Sequence, residues 1–257
     1  MIKNIEEIKE FLHKISFNNT VIFTNGNSSY IDTLIYNLLT SYNKFNNNYK
    51  IGVFCSDEEA FEKSKKLNMI SEIIYIPELK IDNAYSSNAG EEFYLRLCFV
   101  KIIIINLAIN LGYDVLYIDP DMTFNLNCID ELINIKDELT FAKYINNSNS
   151  KPFLNSNIMR VFPTYMNKII FDFEIDRDLN NNYLLKLPDV GDETFLIDNI
   201  FKNNFVDRIK SLNINEFPAG GDSHLLDNKN IKMFHANCFV GLKNKINYLK
   251  SCNNWYI

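Results

Sequence analysis

Two carboxylates one residue apart, Asp119 and Asp121, follow directly on the apolar run Val115-Leu116-Tyr117-Ile118. In a near-extended chain alternate side chains share a face, so both can point into one space. Hard oxygen ligands of this kind suit Mg²⁺ or Mn²⁺, and such an ion would neutralise a diphosphate. The same pair also reads as an acidic turn after a strand, since Asp-x-Asp is a common triplet. Ligands in open α/β sheets bind outside the carboxyl ends of strands, which permits the chemical reading; the context further along the chain is what raises it above the turn.

The surrounding sequence supplies such a sheet. Residues 20–24 read as a strand ended by the turn Asn25-Gly26-Asn27, 30–41 as a helix and 51–55 as a second strand. Ser56-Asp57-Glu58-Glu59 matches an N-cap with first-turn acids. A third strand is expected at 73–76, a long helix at 91–111 closed by Gly112, and the carboxylate-bearing strand at 115–118. Further on, 139–144, 157–161 and 231–234 look like strands and 192–201 like a helix. Ile5, Ile8, Leu12 and Ile15 recur at helical spacing, and the Asn-rich stretches 46–48, 146–150 and 180–182 are candidate mobile loops. Strands alternating with helices predict an α/β fold with a mostly parallel sheet. Without a repeat or a composition break, 1–257 reads as a single domain, with a nucleotide-binding half at 1–125 and an acceptor and catalytic half at 126–257.

Composition narrows the function. With 26 Lys and Arg against 32 Asp and Glu, the net charge of −6 lacks the basic face that nucleic-acid binding needs. Five dispersed cysteines (Cys55, Cys98, Cys128, Cys238, Cys252) fit reduced thiols in a cytosol-like compartment. The most apolar stretch, 97–111, is interrupted by Lys101, Asn106 and Asn110, whereas a bilayer span needs about 18 unbroken apolar residues. Neither a signal peptide nor a membrane span is read at the sequence level, so a cytoplasmic protein is expected. Abundant asparagine and only four arginines look like an AT-rich genome, in keeping with a bacterial or viral origin.

Further motifs follow in a set order. They are Lys101, Gly112-Tyr113, Asp119-Pro120-Asp121, Asn155-Ser156-Asn157, Asp192-Glu193, Pro218-Ala219-Gly220, then His235-Ala236-Asn237 through Gly241 to Lys245, and Trp255. In this order the chain, over residues 20 to 257, resembles the glycosyltransferases of the GT-A fold, the nucleotide-diphospho-sugar transferase superfamily. The resemblance implies a Rossmann-like GT-A domain. It would take a nucleotide-sugar donor, UDP-linked, with Mn²⁺ or Mg²⁺, and pass the sugar to a hydroxyl of a glycan, protein or lipid. Two positions depart from the family pattern: Asn157 stands where Gly is usual, and Glu193 where Gln is usual.

The resemblance also assigns roles. Asp119 and Asp121 would hold the metal and the donor's ribose side, with His235 as third ligand. Lys245, helped by Lys243 and near Gly241, would reach the diphosphate, an electrostatic role. Lys101, a cation amid Leu97, Val100, Ile104 and Ile105, must snorkel or pair with an anion; the family reading sets it near the donor sugar or the carboxylates. Thr24 and Asn25 would wall the base pocket, and Asp57 would touch base or ribose unless it is only a helix cap. Asn155 and Ser156 offer sugar hydrogen bonds. Asp192 would bind the transferred sugar, and Glu193 beside it would serve as nucleophile, base or electrostatic stabiliser.

Two alternatives stand beside the transferase. The segment from Val115 to Thr123 also fits the haloacid-dehalogenase phosphatase signature, with Asp119 as nucleophile and Gly221-Asp222 and Asp227 as a later acidic motif. That signature normally follows the first strand of its core. The other alternative is a transferase fold that binds donor without turnover.

Overall fold

The computed structural model describes residues 5–45, 48–67, 72–77, 92–146, 152–172, 191–218, 228–237, 239 and 241–257. Its strands in chain order are β1 (Thr20–Gly26), β2 (Gly52–Cys55), β3 (Glu72–Tyr75), β4 (Asp114–Ile118), β5 (Met122–Phe124), β6 (Leu139–Ile145), β7 (Phe153–Val161), β8 (Ile209–Ser211) and β9 (Met233–His235). The helices are α1 (Ile5–Ile15), α2 (Ser28–Tyr30), α3 (Tyr36–Phe45), α4 (Glu58–Ser64), α5 (Glu92–Asn110), α6 (Ile129–Ile133), α7 (Tyr165–Ile170), α8 (Asp192–Lys202) and α9 (Leu242–Ser251).

Among the described residues seven strands form one sheet in the order β3-β2-β1-β4-β7-β6-β8, and β5 pairs with β9 in a separate ribbon. Only β7 runs against the others, antiparallel to both β4 and β6. Buried on both faces, β1 can carry consecutive apolar residues, Val21, Ile22 and Phe23. Helices α1, α5, α7 and α8 cover one face and α3, α4 and α6 the other. Between β3 and β4 the chain returns through α5, whose Ile102 to Ile105 are all buried; a helix apolar all round is one enclosed by sheet and neighbours. On α1, Ile8, Phe11, Leu12 and Ile15 face the sheet. Gly52 permits that approach, since a Cβ there would lie 2.4 Å from Phe11 Cζ.

Three expectations are corrected. The late strand is Met233–His235 rather than 231–234, because three-residue β5 sets its pairing, with Met122 opposite His235; ahead of it Lys232 N–H donates to the Glu216 carbonyl. The helix expected at 30–41 is longer: α2 runs through a π turn (Ile31–Ile35) into α3, ending at Phe45. Strand β7 begins four residues earlier than expected, so Asn155 and Ser156 lie inside the sheet. Of the Asn-rich stretches, residues 46, 47, 147–150 and 180–182 lie outside the described residues, as do Ala219, Gly220, Gly221, Asp222 and Asp227.

Candidate functional site

The strand order locates the site. From β1 the chain steps outward to β2 and β3, then returns to β4 on the other side of β1. Neighbouring connections diverge there, leaving a crevice at the carboxyl ends of β1 and β4. Asn25, near the end of β1, and Asp119, just past β4, meet in that crevice. The Tyr117 hydroxyl lies 2.6 Å from Asn25 Oδ1 and 2.7 Å from Asp119 Oδ1. Tyr117 escaped the sequence reading, although its i, i+2 spacing to Asp119 on a strand was the signal that could have found it. Burial, then the Asp119 charge, pushes this phenol well above its ordinary range, so it acts as a neutral donor.

After Asp119 the chain turns, and Asp121 leads into β5. The β5–β9 ribbon then brings in His235 from far along the sequence, and the Ala236 N–H donates to the Asp121 carbonyl at 3.2 Å. His235 Nε2 lies 3.0 Å from Asp121 Oδ1 and 3.9 Å from Asp119 Oδ2. One ligand atom from each of Asp119, Asp121 and His235 falls within 4.8 Å of the other two. Lys245, near the start of α9, donates to Asp121 Oδ2. Burial alone would raise the Asp121 carboxyl, but His235 and Lys245 outweigh it and hold it far below the usual carboxylate range. The same partnership keeps the buried Lys245 ammonium charged. Tyr30, also missed in the sequence, senses Lys245 and Asp121, and burial pushes its phenol up to about 12.

A second cluster backs the first. Lys101 on α5 reaches Asp192 Oδ2 at 2.8 Å, Ser156 Oγ at 2.8 Å and Asp119 Oδ1 at 3.4 Å. Ser156 Oγ lies 2.7 Å from Asp192 Oδ2. Burial would discharge the Lys101 ammonium, but the two aspartates overcome that and hold it charged. Lys101 is therefore paired rather than snorkelling. Glu193, in the first turn of α8, accepts the Ser156 N–H at 3.2 Å, and burial, then the Asp192 charge, raises its carboxyl to about 7. An irregularity in β7 aims these groups: between Phe141–Met159 and Lys143–Asn155, two steps along β6 span four along β7. Such bulges re-aim side chains beside sites. There the Asn157 carbonyl accepts the Asp119 N–H at 2.8 Å, and the Asn157 side chain is buried.

The other singled-out residues have contacts of their own. Asp57 uses both oxygens structurally, accepting Ala60 N–H at 2.7 Å as the α4 cap and Ser28 N–H at 2.9 Å. Thr24 is buried, its hydroxyl without a partner among the described residues. Asn155 is buried in β7, its Oδ1 accepting the Asn157 N–H. Lys243 is exposed on α9. Gly241 precedes that helix at φ 85°, a left-handed conformation suited to glycine.

Comparison with known proteins agrees with this architecture. The nucleotide-diphospho-sugar transferase family matches residues 48–178, just over half of the chain, a span that includes Asp119 and Asp121 but stops short of His235 and Lys245. No curated protein matches by sequence. Among solved structures, an active-site mutant of LgtC, with glutamate in place of glutamine, superposes with TM-score 0.56 at 10% identity, over 91% of this chain and 95% of its own. Mouse xyloside xylosyltransferase 1 does so with TM-score 0.53 at 12% identity, over 84% and 97%. The bifunctional glycosyltransferase WbbM gives 0.54 at 10%, covering 93% of this chain and 50% of that protein, so the chain spans half the length of WbbM. The fold is that of GT-A glycosyltransferases. Asp119 follows the fourth strand in chain order rather than the first, and the phosphatase alternative falls with the family match. Among the described residues no helix is long and apolar enough to cross a membrane.

Proposed function

This chain belongs to the nucleotide-diphospho-sugar transferase family, and we propose that it transfers a sugar from a UDP-sugar to an acceptor hydroxyl with the help of Mn²⁺ or Mg²⁺. One observation carries the reading: two hard carboxylates and an imidazole converge within 4.8 Å beside Lys245, which pairs with Asp121. That donor set suits a small divalent cation. The imidazole fits too, since its Nε2 faces both carboxylates, while its buried Nδ1 has no partner among the described residues. Held by Asp119, Asp121 and His235, such an ion would supply positive charge at the diphosphate.

The chain's own groups divide the remaining work. Lys245 turns its ammonium to the diphosphate and stabilises the charge that grows on it as the anomeric bond breaks. Lys101 holds Asp192 and Ser156 in place, so that both can bind hydroxyls of the transferred sugar. The acceptor oxygen bonds to the anomeric carbon as the bond to the diphosphate breaks, giving a glycoside and UDP. Glu193, with its carboxyl near 7, is poised to take the acceptor's proton at neutral pH. Residues 1–125 would hold the nucleotide, with Thr24 and Asn25 nearest the base, and residues 126–257 the acceptor.

Binding without turnover is the second reading, favoured by Glu193 standing where the family usually has Gln. A panel of UDP-sugars with Mn²⁺, followed by UDP release, separates the two. Slow release from one donor, lost in Asp121→Ala, supports the transferase. Stabilisation by UDP with no release from any donor supports the binder, and neither release nor stabilisation overturns both.

A further inference from the structure

We propose that Asn254 is a positioning residue that, with Asn37 and Thr123, sets Lys245 against Asp121. The proposal rests on the functional reading only for its consequence at the diphosphate; its structural core stands on the following contacts. Asn254, Asn37 and Thr123 are all buried, and all are uncharged. At the far end of α9 the chain reverses through Asn253, at φ 57°, and Asn254 N–H donates to the Leu249 carbonyl at 2.8 Å. The Asn254 carbonyl then accepts Asn37 Nδ2 of α3 at 3.0 Å, while its side-chain Oδ1 accepts the Thr123 hydroxyl of β5 at 3.2 Å. Asn37 Oδ1 in turn accepts the Tyr256 N–H at 2.6 Å.

These bonds close a circuit. Thr123 lies two residues beyond Asp121 on the strand that pairs with the strand carrying His235. From Thr123 the circuit passes to Asn254, back along α9 to Lys245, and across the ion pair to Asp121. At the other end of α9 Gly241 offers no side-chain cap. Of the residues in α9 only Leu249 is fully buried, so this polar clamp adds to a narrow apolar stripe in holding the helix. A clamp made of neutral groups holds at any pH, and a displacement of about 1 Å at Lys245 is enough to matter for charge stabilisation.

The test is a double-mutant cycle repeated in two backgrounds. Coupling between Lys245 and Asp121 is read from urea unfolding of wild type, Lys245→Met, Asp121→Asn and the double variant. The same cycle is then run with Thr123→Val, which keeps side-chain shape and removes one clamp bond, and with Asn254→Ala where that variant folds. The coupling should fall at least two-fold in the clamp backgrounds; an unchanged coupling overturns the proposal, whatever the protein's substrate. As a second readout, Thr123→Val should weaken Mn²⁺-dependent UDP binding several-fold beside Lys245 and leave it unchanged in Lys245→Met. Equal weakening in both backgrounds marks a merely structural role and also overturns it. Absence of UDP binding by wild type would sink the functional reading and leave the unfolding cycle to decide this one.

Discussion

Replacing Glu193 by Gln should stabilise the protein, and by an amount that grows with pH. Burial and the neighbouring Asp192 raise the Glu193 carboxyl from its ordinary 4.5 to about 7. Such a group binds its proton more tightly in the folded chain than in the unfolded one. Its contribution is present in full below pH 4.5 and is lost as pH rises through about 7, because the folded state must then carry a buried charge. At about 1.36 kcal/mol per pH unit the displacement corresponds to about 3 kcal/mol, trimmed to about 2 kcal/mol by the carboxyl's partial access to water. The glutamine side chain would keep an oxygen to accept the Ser156 N–H and would not titrate. Lys101, Asp119 and Asp192, the charged groups that act on position 193, are common to both proteins and largely cancel. Urea unfolding at pH 5, 6, 7 and 8 should show the variant gaining about 2 kcal/mol on wild type between the ends of the series. An equal difference at pH 5 and pH 8, or a gain by wild type with rising pH, would refute the burial argument.

Lys101→Met should destabilise the fold by roughly 3–5 kcal/mol, because Asp192 is left buried without its cation; adding Asp192→Asn should recover much of the loss in denaturant melts. Asp57→Ala should cost about 1–2 kcal/mol through the α4 cap, and amide exchange should quicken at Ala60 and Ser28; unchanged exchange at both would remove Asp57 from its structural role. Arg160, buried with Asp114 at 3.2 Å and the Val115 and Ile133 carbonyls at 3.3 and 3.2 Å, should cost roughly 3 kcal/mol when changed to Met. It lies on β7 opposite Leu116, so Mn²⁺-dependent UDP binding by that variant should match wild type.

Local signals carried much of the fold. The first four sheet strands and α5 were legible because each carries a short apolar run or is an apolar helix, and Asp57 was legible as a cap because capping is a local pattern. The direction of β7 was not, since a strand buried on both faces reads alike whether it runs parallel or antiparallel to its neighbours. Three-residue strands such as β5 and β9 carry too little periodicity to stand out, yet they bring His235 to Asp121. Residue order along the chain pointed to that meeting, whereas periodicity alone did not. Tyr117 was overlooked because an aromatic on a buried strand reads as core. Lys101 could be identified as a cation needing an anion, but its main partner, Asp192, lies 91 residues away, and only the folded chain reveals the pairing.

Calorimetric titration of UDP into the protein, with Mn²⁺ and then with EDTA, tests the central claim most directly when repeated on Asp121→Asn and His235→Ala. The account predicts binding by wild type that requires Mn²⁺ and is lost in both variants. UDP affinity that survives EDTA, or that persists unchanged in both variants, would contradict a shared cation held by these groups.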